Sequence, residues 1–183
     1  MITDDIAGKF VRLRIADEQD AEFTLTIRQN NKNTKFMPKL NVDLSAQKKW
    51  LKTQRDSCDC YFFVIERLDG TRIGTFSLYN IEENEGETGR LIMQGNPIES
   101  LETFVLFHDF CFQEAGMQVL HSEIEDGNNA AIGLALRVGS REYGRRHDEK
   151  SGIQMFQMKA SKADYMEKRE KLAKLVDRFA ARG

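Results

Sequence analysis

Residues 87–103 read ETGRLIMQGNPIESLET, and the fold turns on how this stretch is read. Its first seven residues have strand character; Gly95, Asn96 and Pro97 then punctuate the chain, and Glu99 opens a helix. The first turn of a helix carries unpaired backbone N–H groups and the positive end of the helix dipole. A strand that runs into such a turn can therefore hold a diphosphate. By itself the junction is ambiguous, because any strand-to-helix connection can use Gly and Pro, and its meaning depends on the elements around it.

Downstream, the helix from Glu99 carries Leu101, Phe104, Val105, Phe107, Phe110 and Phe112 at a spacing that buries one face against a sheet, and Gly116 ends it. Residues 119–125 (VLHSEIE) form the next strand, 126–129 a turn, and 130–138 a short helix stopped by Gly139. Residues 142–148 and 153–159 flank a turn at Ser151 and Gly152 and read as an antiparallel pair at the end of the sheet. Residues 162–181 form a last helix with Tyr165, Met166, Leu172, Leu175, Val176 and Phe179 in one apolar stripe, packed on the same subunit or on a second copy.

Upstream, residues 9–15 (KFVRLRI) alternate apolar and basic side chains as a half-buried first strand. Residues 17–29 follow as a helix with carboxylates in its opening turn. Residues 30–43 are polar, contain Pro38 and read as a loop whose large apolar residues are Phe36 and Met37. A second helix runs through Arg55, capped by Asp43 or Ser45. Residues 61–66 (YFFVIE) and 72–80 (RIGTFSLYN) are strands joined by an Asp69-Gly70 hairpin turn, and residues 81–86 read as an acidic connection. The chain shows no internal repeat and no linker.

At 183 residues the chain fits one domain. With 27 basic against 29 acidic residues it has no cationic field to hold a nucleic acid backbone. No stretch approaches the ~18 apolar residues of a membrane span, and the acidic N-terminal segment lacks the apolar centre of an export signal, so a cytoplasmic protein is expected. Cys58, Cys60 and Cys111 are an odd number, which fits reduced thiols. Cys58 and Cys60 lack the two-residue gap usual between zinc-ligating cysteines, and no metal is expected.

The order of elements, joined to residues 126–144 (DGNNAAIGLALRVGSREYG), resembles the GNAT superfamily of N-acetyltransferases. The likeness is greatest to the branch containing the ribosomal-protein N-terminal acetyltransferases and the acetyltransferases of nucleotide-linked amino sugars. It extends from Val11 through residues 73–80 (IGTFSLYN) to the final strand pair. The resemblance implies an α/β (α+β) GNAT fold: a mixed, mostly antiparallel sheet of about seven strands flanked by helices, with a domain over 1–160 and an extra C-terminal helix over 161–183. It also implies acetyl-CoA as co-substrate, entering where the strand before the main helix splays from its neighbour. Ile92 and Met93 would then offer the backbone edge for pantetheine, and Gln94, Gly95, Asn96, Ile98 and Ser100 the diphosphate cradle. Asn128 would contact the cofactor's amide region and Arg137 a CoA phosphate.

The family's cradle usually has two Gly or Ala residues at fixed spacing, whereas here Gly95 stands alone and Pro97 intervenes. The tyrosine that many members use to protonate the leaving thiolate aligns with Ala135. Acetyl transfer requires a neutral amine, a polarised thioester and close approach of the two. A carboxylate is the usual proton acceptor. Comparison with the family puts Glu87 first for that role, with a solvated strand-end glutamate as its alternative reading. His121, Glu123 and Glu125 alternate along one strand face as reserves, while His108 and His147 read as structural. Tyr79 and Tyr143 are placed to donate a proton or to shape an acceptor pocket, with Phe36 and Asn80 beside them. The acceptor suggested by the resemblance is a nucleotide-linked amino sugar. A protein N-terminal amine is the second reading, and a non-catalytic acyl-CoA-binding module the third.

Overall fold

Val11–Ile15 (β2) turns period-two sequence into a two-sided sheet: Val11 and Leu13 are fully buried on one face, while Arg12 and Arg14 reach Glu66 on the other. The computed structural model describes residues 5–30, 34, 36–37, 40–149 and 152–181. Pro38 of the expected loop and Ser151 of the expected turn lie outside the described residues. The other strands are Ile6–Ala7 (β1), Tyr61–Arg67 (β3), Arg72–Glu82 (β4), Glu85–Met93 (β5), Val119–Glu125 (β6), Arg141–Asp148 (β7) and Ile153–Ser161 (β8). They make one sheet in the order β1-β2-β3-β4-β5-β6-β8-β7. All neighbours are antiparallel except β5 and β6.

Among the described residues eight strands are present where about seven were expected, because β1 is only two residues long and pairs as Ile6↔Leu13. Two residues carry no periodicity to read. The expected connection over residues 81–86 is also strand for most of its length. β4 runs to Glu82 and β5 starts at Glu85, with Glu83 at φ 53 making the turn. Acidic side chains that point into solvent do not prevent backbone pairing, so polarity alone misplaces this boundary.

Among the described residues, five α-helices cover the sheet: Ala21–Asn30 (α1), Leu44–Asp56 (α2), Pro97–Asp109 (α3), Asn129–Arg137 (α4) and Lys162–Ala180 (α5). The first expected helix opens as a 3-10 turn at Glu18–Asp20, closed by a reciprocal Asp17–Asp20 capping box, before α1 begins. Asp43 caps α2 by accepting from Ala46 N at 2.7 Å. α3 starts two residues earlier than expected because Asn96 caps it and Pro97 fits its first turn; it continues as a π-helical turn over Phe110–Glu114.

The apolar face of α3 packs with Phe63, Phe76 and Leu78 into the larger core, in which Phe76 and Phe107 stack at 3.7 Å. α1 and α2 cover a smaller core built on Phe62, Val64 and Leu51. On α5, Tyr165, Leu172 and Val176 are buried against the main core, whereas Met166, Leu175 and Phe179 of the same stripe remain exposed.

His108 is fully enclosed in the larger core, where its Nδ1–H donates to the Phe104 carbonyl at 2.8 Å. Burial holds its pKa down at about 4, outweighing the Phe104 hydrogen bond and Asp109. The unfolded chain takes up this proton near 6.5, and the folded chain refuses it until about 4. Stability therefore falls as pH drops through that window, by about 3 kcal/mol from this one group, and is independent of it above 6.5. His108→Phe is expected to remove that part of the slope. Urea midpoints of the two proteins between pH 4 and 7.5 check it, and parallel curves would contradict it.

Candidate active site

The parallel ladder between β5 and β6 is only three residues long: Glu85↔Val119, Gly86↔Leu120 and Glu87↔His121. Beyond Glu87 the two strands part, leaving the β5 edge from Thr88 to Met93 without a β6 partner. A bulge contributes to the parting. The β4–β5 register slips between Thr75↔Ile92 and Ser77↔Gly89, with Arg90 held at φ 53. Such bulges bend the strand that carries the extra residue. A slot of about 160 Å³ lies along the gap, lined by Thr88, Leu91, Phe104, Ile124, Asn128 and Ala135 among others, with Phe36 and Met37 bordering it. Slot and free strand edge fit an extended pantetheine arm.

The α3 terminus fits a diphosphate less directly. Asn96 Oδ1 accepts from the N–H groups of Ile98 and Glu99 at 2.9 Å each, and the Glu99 carboxylate accepts from Asn96 N at 2.7 Å. Ser100 N donates to the Asn96 carbonyl, and Gln94 N to Ile73. The donors expected to cradle phosphate at 94, 96, 98 and 100 are thus engaged within the protein. A side chain at Gly95 would meet Glu99 Oε2 at 2.8 Å, so the Glu99 carboxylate occupies the space beside this glycine. Arg67, at 2.7 Å, holds Glu99 there and keeps its carboxyl below the usual range.

At the closed end of the slot, on the face covered elsewhere by α1 and α2, lies a cavity of about 650 Å³. Asn80, Glu87, Glu123 and Tyr143, expected from the sequence, line it together with His121. Its wall also includes Asp59, Glu82 and Glu85, which the sequence reading did not single out. Five carboxylates from the α2–β3 loop, β4, β5 and β6 therefore face one space, and its described lining holds no Lys or Arg.

Two backbone irregularities shape this cavity. Asn80, at φ 50, lies in a second β4–β5 register slip, and Tyr143 is the extra residue of a β7 bulge that brings its ring to 5.9 Å from His121. His121 Nε2 contacts Glu85 Oε2 at 2.7 Å, and Glu123 takes the fork of Arg146 at 2.6 and 3.0 Å. Hydrogen bonding to Arg146 keeps the Glu123 carboxyl below its ordinary range, which weakens it as a proton acceptor. Glu87 lies against Tyr79; burial first, then the Glu87 charge, raises the Tyr79 pKa and keeps its hydroxyl protonated. A side chain at Gly89 would sit 2.9 Å from that hydroxyl, so the phenol rests on the backbone where the strands begin to part.

Other expected residues lie apart from this group. Phe36, Glu125 and Asn128 line the slot, Asn128 also capping α4 through Ala131 N. Ile92 turns its side chain into a chamber beneath α1 and α2, and Arg137 is exposed on the last turn of α4. Ala135 lines the slot where the family's tyrosine would stand. Among the described residues, no group of three or more His, Cys, Asp or Glu side chains is placed to hold a metal, and no helix is long and apolar enough to cross a membrane.

No curated protein matches this chain in sequence. Solved structures do match its fold. Apo FdhC, described as a nucleotide-linked sugar GNAT, superposes with a TM-score of 0.79 at 24% identity, over 94% of this chain and 98% of its own. Spermidine N-acetyltransferase from Vibrio cholerae, solved with CoA and spermine, gives 0.77 at 16% identity over 85% and 98%. Mycobacterium smegmatis RimJ in complex with CoA-disulfide gives 0.76 at 15% identity over 92% and 90%. The acetyltransferase (GNAT) domain model matches residues 11–141. That match spans most of the chain, including β5, α3, the parted strands and α4, and with it the chain belongs to the acetyltransferase (GNAT) domain family and so to the acyltransferases.

Proposed function

We propose that the protein is an acetyl-CoA-dependent N-acetyltransferase acting in a ternary complex, with a small polycationic amine as acceptor and Glu87 as proton acceptor. The observation that carries this is the position of the acidic cavity at the closed end of the slot. Acetyl-CoA brings an acyl group already activated as a thioester. The chain's own residues align the partners: the β5 edge at Ile92 and Met93 runs beside the pantetheine arm, with Asn128 across the gap and Arg137 within reach of an outer phosphate. In the acceptor cavity, an ammonium group is drawn in by the carboxylates of the wall, of which Arg146 offsets that of Glu123, and Glu87 removes the proton that its nitrogen must lose before attacking. The C–N bond forms as the C–S bond breaks; Tyr79, protonated and resting over Gly89, supplies the departing sulfur with a proton in place of the tyrosine absent at Ala135, and the proton that the nitrogen sheds on becoming an amide returns to the Tyr79 oxygen.

A nucleotide-linked amino sugar, the acceptor suggested by sequence resemblance, would bring a diphosphate towards those carboxylates at an electrostatic cost. A protein N-terminus offers one positive charge where a polyamine offers several. An assay of thiol release with spermidine, a nucleotide-linked amino sugar and a short peptide with a free N-terminus separates these classes. Spermidine is expected to have the highest kcat/KM, with an advantage that shrinks as salt rises. A higher kcat/KM for the sugar or the peptide would overturn the acceptor assignment. Cofactor binding without turnover on any amine would favour the non-catalytic module.

The diphosphate belongs at residues 94–100 only if Glu99 turns out of the α3 terminus. Glu99→Ala is accordingly expected to tighten CoA binding about tenfold, since it removes a negative charge from the helix end that would receive the phosphates. Isothermal titration with CoA reads this, and weaker binding by the variant would place the diphosphate elsewhere.

A further inference from the structure

The loop between α2 and β3 contributes to two separate cavities. Asp59 belongs to the wall of the acidic cavity. The residues on either side of it, Cys58 and Cys60, line a different pocket of about 160 Å³ at the end of α2, together with Ile15, Gln54, Arg55 and Phe62. Cys58 is exposed, while Cys60 is buried with its thiol donating to Gln54 Oε1 at 3.2 Å. The remaining cysteine, Cys111, is fully enclosed in the larger core. Asp59 is tied in place on two sides: the Ser57 hydroxyl donates to its carboxylate, and its carbonyl accepts from Ile81 N at 3.4 Å.

The chain bends at Cys58 and Asp59, and Cα atoms with one residue between them are at most about 7 Å apart, less at a bend. A disulfide spans roughly 4.4–6.8 Å between Cα atoms, so a bridge here asks for a new rotamer at Cys60 and a turn of the two peptides that flank Asp59. Thiolates are the attacking species in disulfide exchange. Burial pushes the Cys60 thiol up, so Cys60 stays protonated and the exposed Cys58 meets an oxidant first. We infer that Cys58 and Cys60 form a dithiol site that exchanges with small-molecule disulfides, and that closing the bridge draws Asp59 out of the acidic cavity and weakens acceptor binding there. The Cys58 sulfur attacks one sulfur of the small disulfide and expels the first thiolate; Cys60 then gives up its proton and attacks the Cys58 sulfur, expelling the second. Two cysteines are oxidised by two electrons, the small disulfide is reduced to two thiols, and those thiols carry the two protons that the cysteines lose. The bridge depends on the loop alone, whereas its effect on the acceptor rests on the acceptor cavity proposed above.

The native protein, Cys58→Ser and Cys60→Ser are reduced, freed of reductant and incubated with the disulfide of mercaptoethanol; intact mass and spermidine kinetics are read before and after. The native mass should fall by two hydrogens, Cys60→Ser should stop with one mercaptoethanol joined to Cys58, and Cys58→Ser should stay unmodified. A cooperative thermal transition in Cys60→Ser shows that its arrest is chemical and not a consequence of unfolding. In the native protein KM for spermidine should rise about fivefold as one carboxylate leaves the wall, with kcat little changed because Glu87 stays in place, and dithiothreitol should restore it. Cys58→Ser should keep the KM of the reduced protein throughout. A native protein that ends as a mixed disulfide on Cys58, or that keeps both thiols free, would overturn the site. A complete bridge with unchanged KM would overturn the link to Asp59. Absence of turnover on spermidine by the reduced protein would overturn the acceptor assignment and that link together, and the mass would still decide the bridge.

Discussion

Glu87→Gln is expected to lower kcat by a factor of about 10²–10⁴ while leaving the affinity for acetyl-CoA unchanged. An aliphatic amine is almost wholly protonated near neutral pH, and its nitrogen attacks only after losing that proton. Three carboxylates stand along β5 and β6 near the point where the strands part, and their surroundings differ. Glu85 contacts His121 at 2.7 Å, and Glu123 is gripped by Arg146 at 2.6 Å. Each of those carboxyls is held below its ordinary range by its partner, which makes it a poorer proton acceptor. Glu87 lies instead on the last paired residue before the slot, beside the Tyr79 hydroxyl.

Glutamine keeps the size of that side chain and removes its basicity. The variant's residual rate should therefore rise with pH as the free amine loses its proton in solution. Glu123→Gln is the control. If it costs more than Glu87→Gln in pre-steady-state acyl transfer, the assignment of the base is wrong.

Glu102→Leu is expected to destabilise the fold by about 3–5 kcal/mol, the largest effect of any single side chain considered. The Glu102 carboxylate is buried at the α3–β2 contact, where it accepts three backbone N–H groups: Lys9 and Phe10 at 2.7 Å and Val11 at 2.9 Å. Together with the cap of α3 at Asn96, it ties the start of the chain to the central helix. A leucine would fill the volume but leave three donors facing hydrocarbon, each at a cost of about 1–3 kcal/mol before relaxation. The chain approaches so closely that a side chain at Gly8 would lie 2.5 Å from Glu102 Cδ, so Gly8→Ala should destabilise the same contact by the opposite route. For a chain of this size the leucine variant should lose roughly 6–20 °C in Tm. A loss under about 1 kcal/mol in urea titration would mean that water satisfies those donors instead.

Much of the architecture is legible from residue order. β6 spans Val119–Glu125 as its alternation requires, and the Phe-rich stripe of α3 meets Phe63 and Phe76 in the core because its spacing leaves no other face for them. Glu102 is not legible in this way: on a helix it reads as one more polar position, and its partners lie more than 90 residues away in sequence. Glu99 likewise reads as a first-turn carboxylate, and only its bonds to Asn96 N and Arg67 reveal it as the group that fills the proposed diphosphate seat. The acidic cavity gathers Asp59, Glu82, Glu85, Glu87 and Glu123 from four separate stretches, and the β5 bulge sends Arg90 into an apolar chamber that no local pattern announces.

By itself the sequence determined the family, the order of elements and the face each element buries, because hydrophobic periodicity is a local property repeated along the chain. Only the tertiary structure decided where β5 and β6 stop pairing, which charges meet in one cavity and which carboxylates are held by cations. Those outcomes depend on distances between groups far apart in sequence, and the energy of a buried or paired charge is set by its neighbours in space.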